Sequence, residues 1–169
     1  MTKNASRLDT MLLKQVTAGR SHQHLSRHDE PRISAFFLSF DFDQRRSYFG
    51  GGVSDHSILE HCRTIDWTST DMIGSGRYCL EALATLVALP AVHGSAELAV
   101  ACPLLCDQRR ITAELLTNVT EFAAAKYRSL VVQREFAHPD LIDELRQSAL
   151  ATCCEEKIEI DLCLTGRRA

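Results

Sequence analysis

The sequence predicts an α/β layered domain, and three observations carry that expectation. Segments with strand-like alternation and segments with helical periodicity take turns along the second half of the chain. Ala96–Cys102 alternates, with Leu98, Val100 and Cys102 on one face and Glu97, Ala99 and Ala101 on the other. Lys157–Leu164 alternates as cleanly, setting Ile158, Ile160, Leu162 and Leu164 against Glu159, Asp161 and Cys163.

Taken in order, residues 1–30 are polar and include a histidine-rich stretch with His22, His24 and His28. No fourth ligand follows at zinc-like spacing, so a polar, loosely ordered N-terminal arm is expected, with no metal. Met11, Leu12, Leu13 and Val16 leave room for a short edge strand or helix within it. Residues 31–169 are expected to form one domain. Pro31 suits the first turn of a helix whose Ile33, Phe36, Phe37 and Phe40 fall on one stripe. Ser54 suits the N-cap of a second helix carrying Ile58, Leu59, Cys62 and Ile65. The stretch 41–52 reads as their connection, broken at Gly50-Gly51-Gly52.

Two strands are expected around residues 77–89, before Pro90, although the alanines leave a helix open for 80–88. After the Ala96–Cys102 strand, Ile111, Leu115, Val119 and Phe122 mark a long helix running to about Tyr127. Leu130–Val132 is the next strand. Pro139 opens a further helix with Leu141, Ile142, Leu145 and Ala149 inward, and the Lys157–Leu164 strand ends the run.

Composition bounds the function. The 169 residues are 45% hydrophobic and 24% charged, which is ordinary for a globular domain. A net charge of −3 gives no basic signal for nucleic acid. No apolar run approaches the roughly 18 residues of a membrane span. No secretory signal is evident near the start, so a cytoplasmic protein is expected. The seven cysteines include no CxxC pair, and thiols packed as small hydrophobes are expected rather than a disulfide framework.

The most informative stretch runs from Ala96-Glu97-Leu98-Ala99-Val100 through Asp107-Gln108-Arg109-Arg110-Ile111-Thr112 into a helix. A strand, a short turn and a helix start bring bare backbone N–H groups to one point, which suits an anion. This stretch resembles the GNAT N-acetyltransferases, which often carry A-E-L-A-V, a short spacer, Q-G-R-G-I-G and then a helix. Asp107 stands where the family has glutamine, Arg109 where it has arginine, and Ile111 where it has an apolar residue. Arg45-Arg46-Ser47-Tyr48-Phe49-Gly50 is similar to the family's R-x-x-x-F-G segment. The resemblance covers roughly residues 31–150.

It implies a GNAT-like acyl-CoA N-acyltransferase fold, a mixed central sheet flanked by helices. It also implies an acetyl-CoA-dependent transfer to an amine of a small molecule or protein. Neither nucleic acid nor membrane is an implied partner, and a homodimer is. Ala101 and Cys102 take the place of the strand residues that bond the pantetheine arm. Asp107, Gln108, Arg109, Arg110, Ile111 and Thr112 take the place of the pyrophosphate loop. Glu97 takes the place of the general base, directly or through a water. Two family glycines are replaced by Arg110 and Thr112, so the backbone is less able to approach a phosphate. Arg110 either fills the phosphate site or pairs with it as a cation. His138-Pro139-Asp140 stands where an asparagine is common, and no tyrosine matches the family's general acid.

Plain structural roles remain open beside these. Glu97 is otherwise an exposed or arginine-paired strand residue, and Asp107 a helix cap. Arg109 and Arg110 are otherwise solvated. Cys102 and Cys106 invite a nucleophile reading only if a histidine such as His93 approaches them. Trp67 reads as a core or lid aromatic. The alternative to an enzyme is a catalytically inactive GNAT-like binding or regulatory module that has lost coenzyme A.

Overall fold

A computed structural model describes residues 22–103, 108–133, 141–143, 145, 151–153 and 156–162. Seven strands form one sheet in the order β1-β2-β3-β4-β5-β7-β6. The strands are β1 (His22–Leu25), β2 (Thr70–Ser75), β3 (Ala82–Ala88), β4 (Ser95–Ala101), β5 (Ser129–Gln133), β6 (Ala151–Cys153) and β7 (Lys157–Asp161). β4 and β5 pair in parallel, and every other neighbouring pair is antiparallel. The helices are α1 (Glu30–Leu38), α2 (Phe42–Phe49), α3 (Asp55–Arg63) and α4 (Gln108–Ala124). The expected mixed sheet with flanking helices is what the chain forms.

The two faces of the sheet carry separate cores. Ile73, Ala84, Leu86, Ala96 and Leu98 pack with Ile111, Leu115 and Val119 of α4 on the back face. Leu141 and Leu145, expected on a helix facing inward, join that core. Met72, Leu83 and Ala101 point to the front face, under Ile33, Phe36 and Phe37 of α1 and Ile58 of α3. The alternation read for Ala96–Cys102 is therefore the division between the two cores. Phe37 is fully buried between its ring neighbours Phe36, Phe40, Tyr48 and Phe49. Truncating a phenylalanine in such a place costs about 3–5 kcal/mol.

Four elements differ from expectation, each for a physical reason. The connection read between α1 and α3 is itself the helix α2. Its sequence has no apolar stripe, so periodicity is silent, but its ends are specified. Asp41 accepts from the Gln44 backbone N–H at 2.9 Å while the Gln44 side chain accepts from the Asp41 N–H at 2.9 Å. Gly50 then stops the helix in the left-handed region at φ 71°.

Within the stretch expected as a polar arm through residue 30, His22–Leu25 is a strand that pairs antiparallel with β2. One apolar residue, Leu25 at 1% exposure, anchors it to the front core. Residues 1–21, with the proposed Met11–Val16 element, lie outside the described residues. His24 stacks on Phe122 of α4 at 5.0 Å.

The strands expected across 77–89 lie at 70–75 and 82–88, and the open helix reading of 80–88 is a strand. Between them Gly76 turns at φ +123°, where an added Cβ would stand 2.1 Å from the Cys79 carbonyl oxygen. β6 was not foreseen; three residues are too few for an alternation to register. Of the cysteines, Cys62 is buried, Cys102 half-buried and Cys79 exposed.

Candidate active site

The site begins where a strand pair stops. β4 and β5 share only the ladder Ser95↔Ser129, Ala96↔Leu130 and Glu97↔Val131. β4 runs on beside β3 as far as Leu83↔Ala101, and β5 runs on beside β7 as far as Gln133↔Lys157. The two strands thus part after Glu97 and Val131, leaving a wedge. In a strand, every second residue turns its N–H and C=O toward the same neighbour. Half of the backbone groups of Leu98–Ala101 therefore face the wedge rather than β3.

The closed end of the wedge is clamped. The Arg128 N–H donates to the Gly94 carbonyl at 2.6 Å, and the Ser95 and Ser129 hydroxyls bond each other at 2.8 Å. The open part forms a small cleft of ≈ 30 Å³ lined by Tyr48, Glu97, Ala99, Val100, Gln133 and Leu141, among others.

Each residue singled out in the sequence has a definite place. Glu97 lines the wedge beside Ala99, half-exposed, at the last rung of the ladder. Ala101 is 5% exposed and points to the front core, while half-buried Cys102 packs against the back core. Asp107 lies outside the described residues, as does Cys106. Gln108 and Arg109 are the first residues of α4, and their side chains are not among those described. Ile111 and Thr112 are buried at 1% and 3% exposure. Their side chains point into the protein, so only their backbone faces the helix N-terminus. The Arg110 guanidinium donates to Glu114 Oε1 at 3.0 Å, one turn along α4, and does not line the wedge.

The cysteine–histidine pairing does not form with Cys102. His93 precedes β4 and Cys102 follows it, so the length of a seven-residue strand, roughly 20 Å, separates them. Trp67 packs beside the front core. Among the described residues no three His, Cys, Asp or Glu side chains could share a metal ion. No helix of the described residues is long and apolar enough to cross a membrane.

Two site neighbours were not recognised in the sequence. Tyr48 of α2 lines the wedge, and its hydroxyl bonds Thr85 Oγ1 of β3 at 3.0 Å. Burial pushes this phenol up to about 12, with the Thr85 hydrogen bond opposing. Gln44 Nε2 donates to the Pro103 carbonyl at 3.0 Å, tying α2 to the chain that leaves β4. Both residues lie in or next to the Arg45–Gly50 segment. The resemblance there has a structural basis in Arg45, whose guanidinium donates to the carbonyls of Leu38, Phe40 and Val53 and to Asp55 Oδ1. That arginine gathers α1, α2 and the start of α3.

A second polar cluster is centred on β2, two strands from β4 and level with Leu98. Asp71, at 8% exposure, accepts from Lys126 Nζ at 2.7 Å and Tyr127 Oη at 2.8 Å, with His24 Nε2 at 3.4 Å. Burial would raise this carboxyl, but its hydrogen bonds from Lys126 and Tyr127 hold it below the ordinary value.

No family model matches the sequence, and no curated protein matches it either. Solved structures do match in fold. The GNAT domain of PAT from S. lividans superimposes with a TM-score of 0.64 at 13% identity, over 83% of this chain and 89% of that one. Mutant forms of the spermidine/spermine N-acetyltransferase SpeG from Vibrio cholerae give 0.58 at 13%, over 89% and 99%. The GNAT superfamily phosphinothricin acetyltransferase of Sinorhizobium meliloti, in complex with acetyl-CoA, gives 0.58 at 13%, over 84% and 88%. The chain has the GNAT acetyltransferase fold.

Proposed function

We propose that the protein is an acetyl-CoA-dependent N-acetyltransferase acting on an amine of a small molecule or a protein. The observation that carries this reading is the ladder that ends at Glu97↔Val131. A pantetheine arm is an extended chain with two amide groups. The backbone edge of Leu98–Ala101, open toward the wedge, offers such a chain the hydrogen bonds of a missing strand. Solved neighbours with bound acetyl-CoA support the same ligand.

The residues divide the work as follows. The backbone after Ala99, through Ala101 and Cys102, holds the arm. The N–H groups at the start of α4, from Gln108 to Ile111, face the pyrophosphate with the positive end of the helix dipole. Glu97 takes a proton from the ammonium of the acceptor, directly or through a water. The amine nitrogen then bonds the thioester carbon, the carbon–sulfur bond breaks, and the sulfur leaves with the electron pair and takes up a proton.

The test is thermal unfolding of the full chain with and without acetyl-CoA. Saturation at about 100 times the dissociation constant adds roughly 2.7 kcal/mol, a shift of a few degrees. Arg110→Gln distinguishes two forms of the phosphate site: a cationic contact loses most of the shift, a purely backbone contact keeps it. No shift at any concentration supports the second reading, an inactive GNAT-like binding or regulatory module. The observation favouring that reading is the pair of side-chain-bearing residues, Arg110 and buried Thr112, where the family has glycines.

A further inference from the structure

Tyr48 is a polar side chain of the wedge for which proton transfer from the amine has no use. Its ring is fixed by packing: Phe37 lies at 4.9 Å, Phe49 at 5.0 Å and Phe40 at 6.2 Å between ring centres. Its hydroxyl is fixed separately, by Thr85 Oγ1 at 3.0 Å. Thr85 is the register partner of Ala99 across β3 and β4. Directly opposed residues of an antiparallel pair share a face, with Cβ atoms about 5 Å apart. The phenol oxygen therefore stands over the front face at the level of Ala99. That level is two residues beyond the last β4–β5 rung, inside the stretch where the wedge is open. Ala99 offers only a methyl group, so no side chain at that position stands between the hydroxyl and the cleft.

We infer that Tyr48 donates a hydrogen bond to the carbonyl oxygen of the thioester in the wedge, with Thr85 holding its hydroxyl in place. The inference rests on the acetyltransferase reading above and adds a residue to it. The Thr85 hydroxyl donates to the phenol oxygen, which leaves the phenol hydrogen directed at the ligand. Two hydroxyls in contact can share their hydrogens this way around. Burial keeps the phenol protonated across the physiological range, so the donor is present at every pH where an amine is nucleophilic. As the amine attacks, the carbonyl oxygen gains negative charge and the same hydrogen bond strengthens, with no proton changing hands. The ligand feature recognised is the acyl group itself, which separates acetyl-CoA from coenzyme A.

The experiment is calorimetric titration of the full chain with acetyl-CoA and, separately, with coenzyme A. The wild type is expected to prefer acetyl-CoA. Tyr48→Phe is expected to lose roughly fivefold in acetyl-CoA affinity, while coenzyme A affinity stays within twofold. Isotope-edited infrared spectra of bound acetyl-CoA provide a second readout. The thioester carbonyl stretch lies at lower frequency in the wild type than in free acetyl-CoA and returns toward the free value in Tyr48→Phe. A purely structural role would weaken both ligands alike and leave the carbonyl band unmoved, which overturns the inference while the acetyltransferase reading stands. If the wild type binds neither ligand, that reading falls and this inference with it. Thr85→Val covers the case in which Tyr48→Phe does not fold. It leaves the ring in place but frees its hydroxyl, and a carbonyl band unchanged from wild type would refute the role given to Thr85 and Tyr48 together.

Discussion

Two regions of the sheet treat buried polar groups in opposite ways. On β2, Asp71 has partners in Lys126, Tyr127 and His24, drawn from β1 and from the chain just past α4. Toward the end of β4, the backbone edge leaves its neighbour and faces a cleft. The difference separates a joint from a site. A buried polar group whose partners are all supplied by the fold stabilises that fold, and one whose partners are withheld waits for a ligand. Under the proposed function the start of α4 serves binding, and the residues just past its end serve stability.

The largest expected effect comes from breaking the joint. Asp71→Ala leaves the buried Tyr127 hydroxyl and the Lys126 ammonium without their acceptor, a cost of roughly 3 kcal/mol. Chemical denaturation reads that loss. The acetyl-CoA-induced rise in thermal midpoint is expected to survive in this variant, because Asp71 lies on β2, two strands away from the parting pair. A variant that loses both stability and the ligand shift would show that the two regions are coupled.

Filling the site is the converse. Ala99→Leu places a branched side chain where β4 and β5 part, beside Glu97 and Tyr48. It is expected to abolish the ligand-dependent shift, a loss of up to roughly 2.7 kcal/mol at saturation. The unliganded stability is expected to fall as well, by about 1–3 kcal/mol, because the added atoms crowd Tyr48 in a small cleft. Thermal scans with and without acetyl-CoA separate these two quantities.

The contrast also explains what could be read in the sequence. Alternation at Ala96–Cys102 and Lys157–Leu164, and the α4 stripe through Ile111, Leu115 and Val119, report which side chains enter a core. Each of those elements formed, give or take a few residues at its ends. Helix α2 and strand β1 are held by a capping box and by one leucine, and a periodicity argument is blind to both. The placement of Glu97 beside small alanines was legible as a face. Its position at the last rung of a parting ladder was not, because register is a property of two strands. Tyr48 lies in a segment whose pattern is explained by Arg45. Nothing local says that its hydroxyl reaches Thr85, a contact across 37 residues. The joint was missed for the same reason, since Asp71 meets Lys126 and Tyr127 only through the sheet.

The smallest effect tests the joint by pH alone. The folded state holds the Asp71 carboxyl below its ordinary value of 3.8, so the unfolded chain binds the proton more readily. Its contribution is therefore fully present above that value and is lost as pH falls through the lower, folded value. Lys126 runs the other way. The Asp71 hydrogen bond raises it above 10.5, so its contribution is present at lower pH and is lost as pH climbs through the raised value. Together they give a stability plateau across the neutral range that falls away on both sides. The ammonium is half-exposed and screened by solvent, which limits each limb to about 1 kcal/mol. Asp71→Asn keeps the shape of the acceptor and removes its charge. Its denaturation midpoints between pH 7 and pH 3 should fall less steeply than those of the wild type. Equal slopes in the two proteins would mean that the acid limb belongs to other carboxylates and that the joint is held by packing.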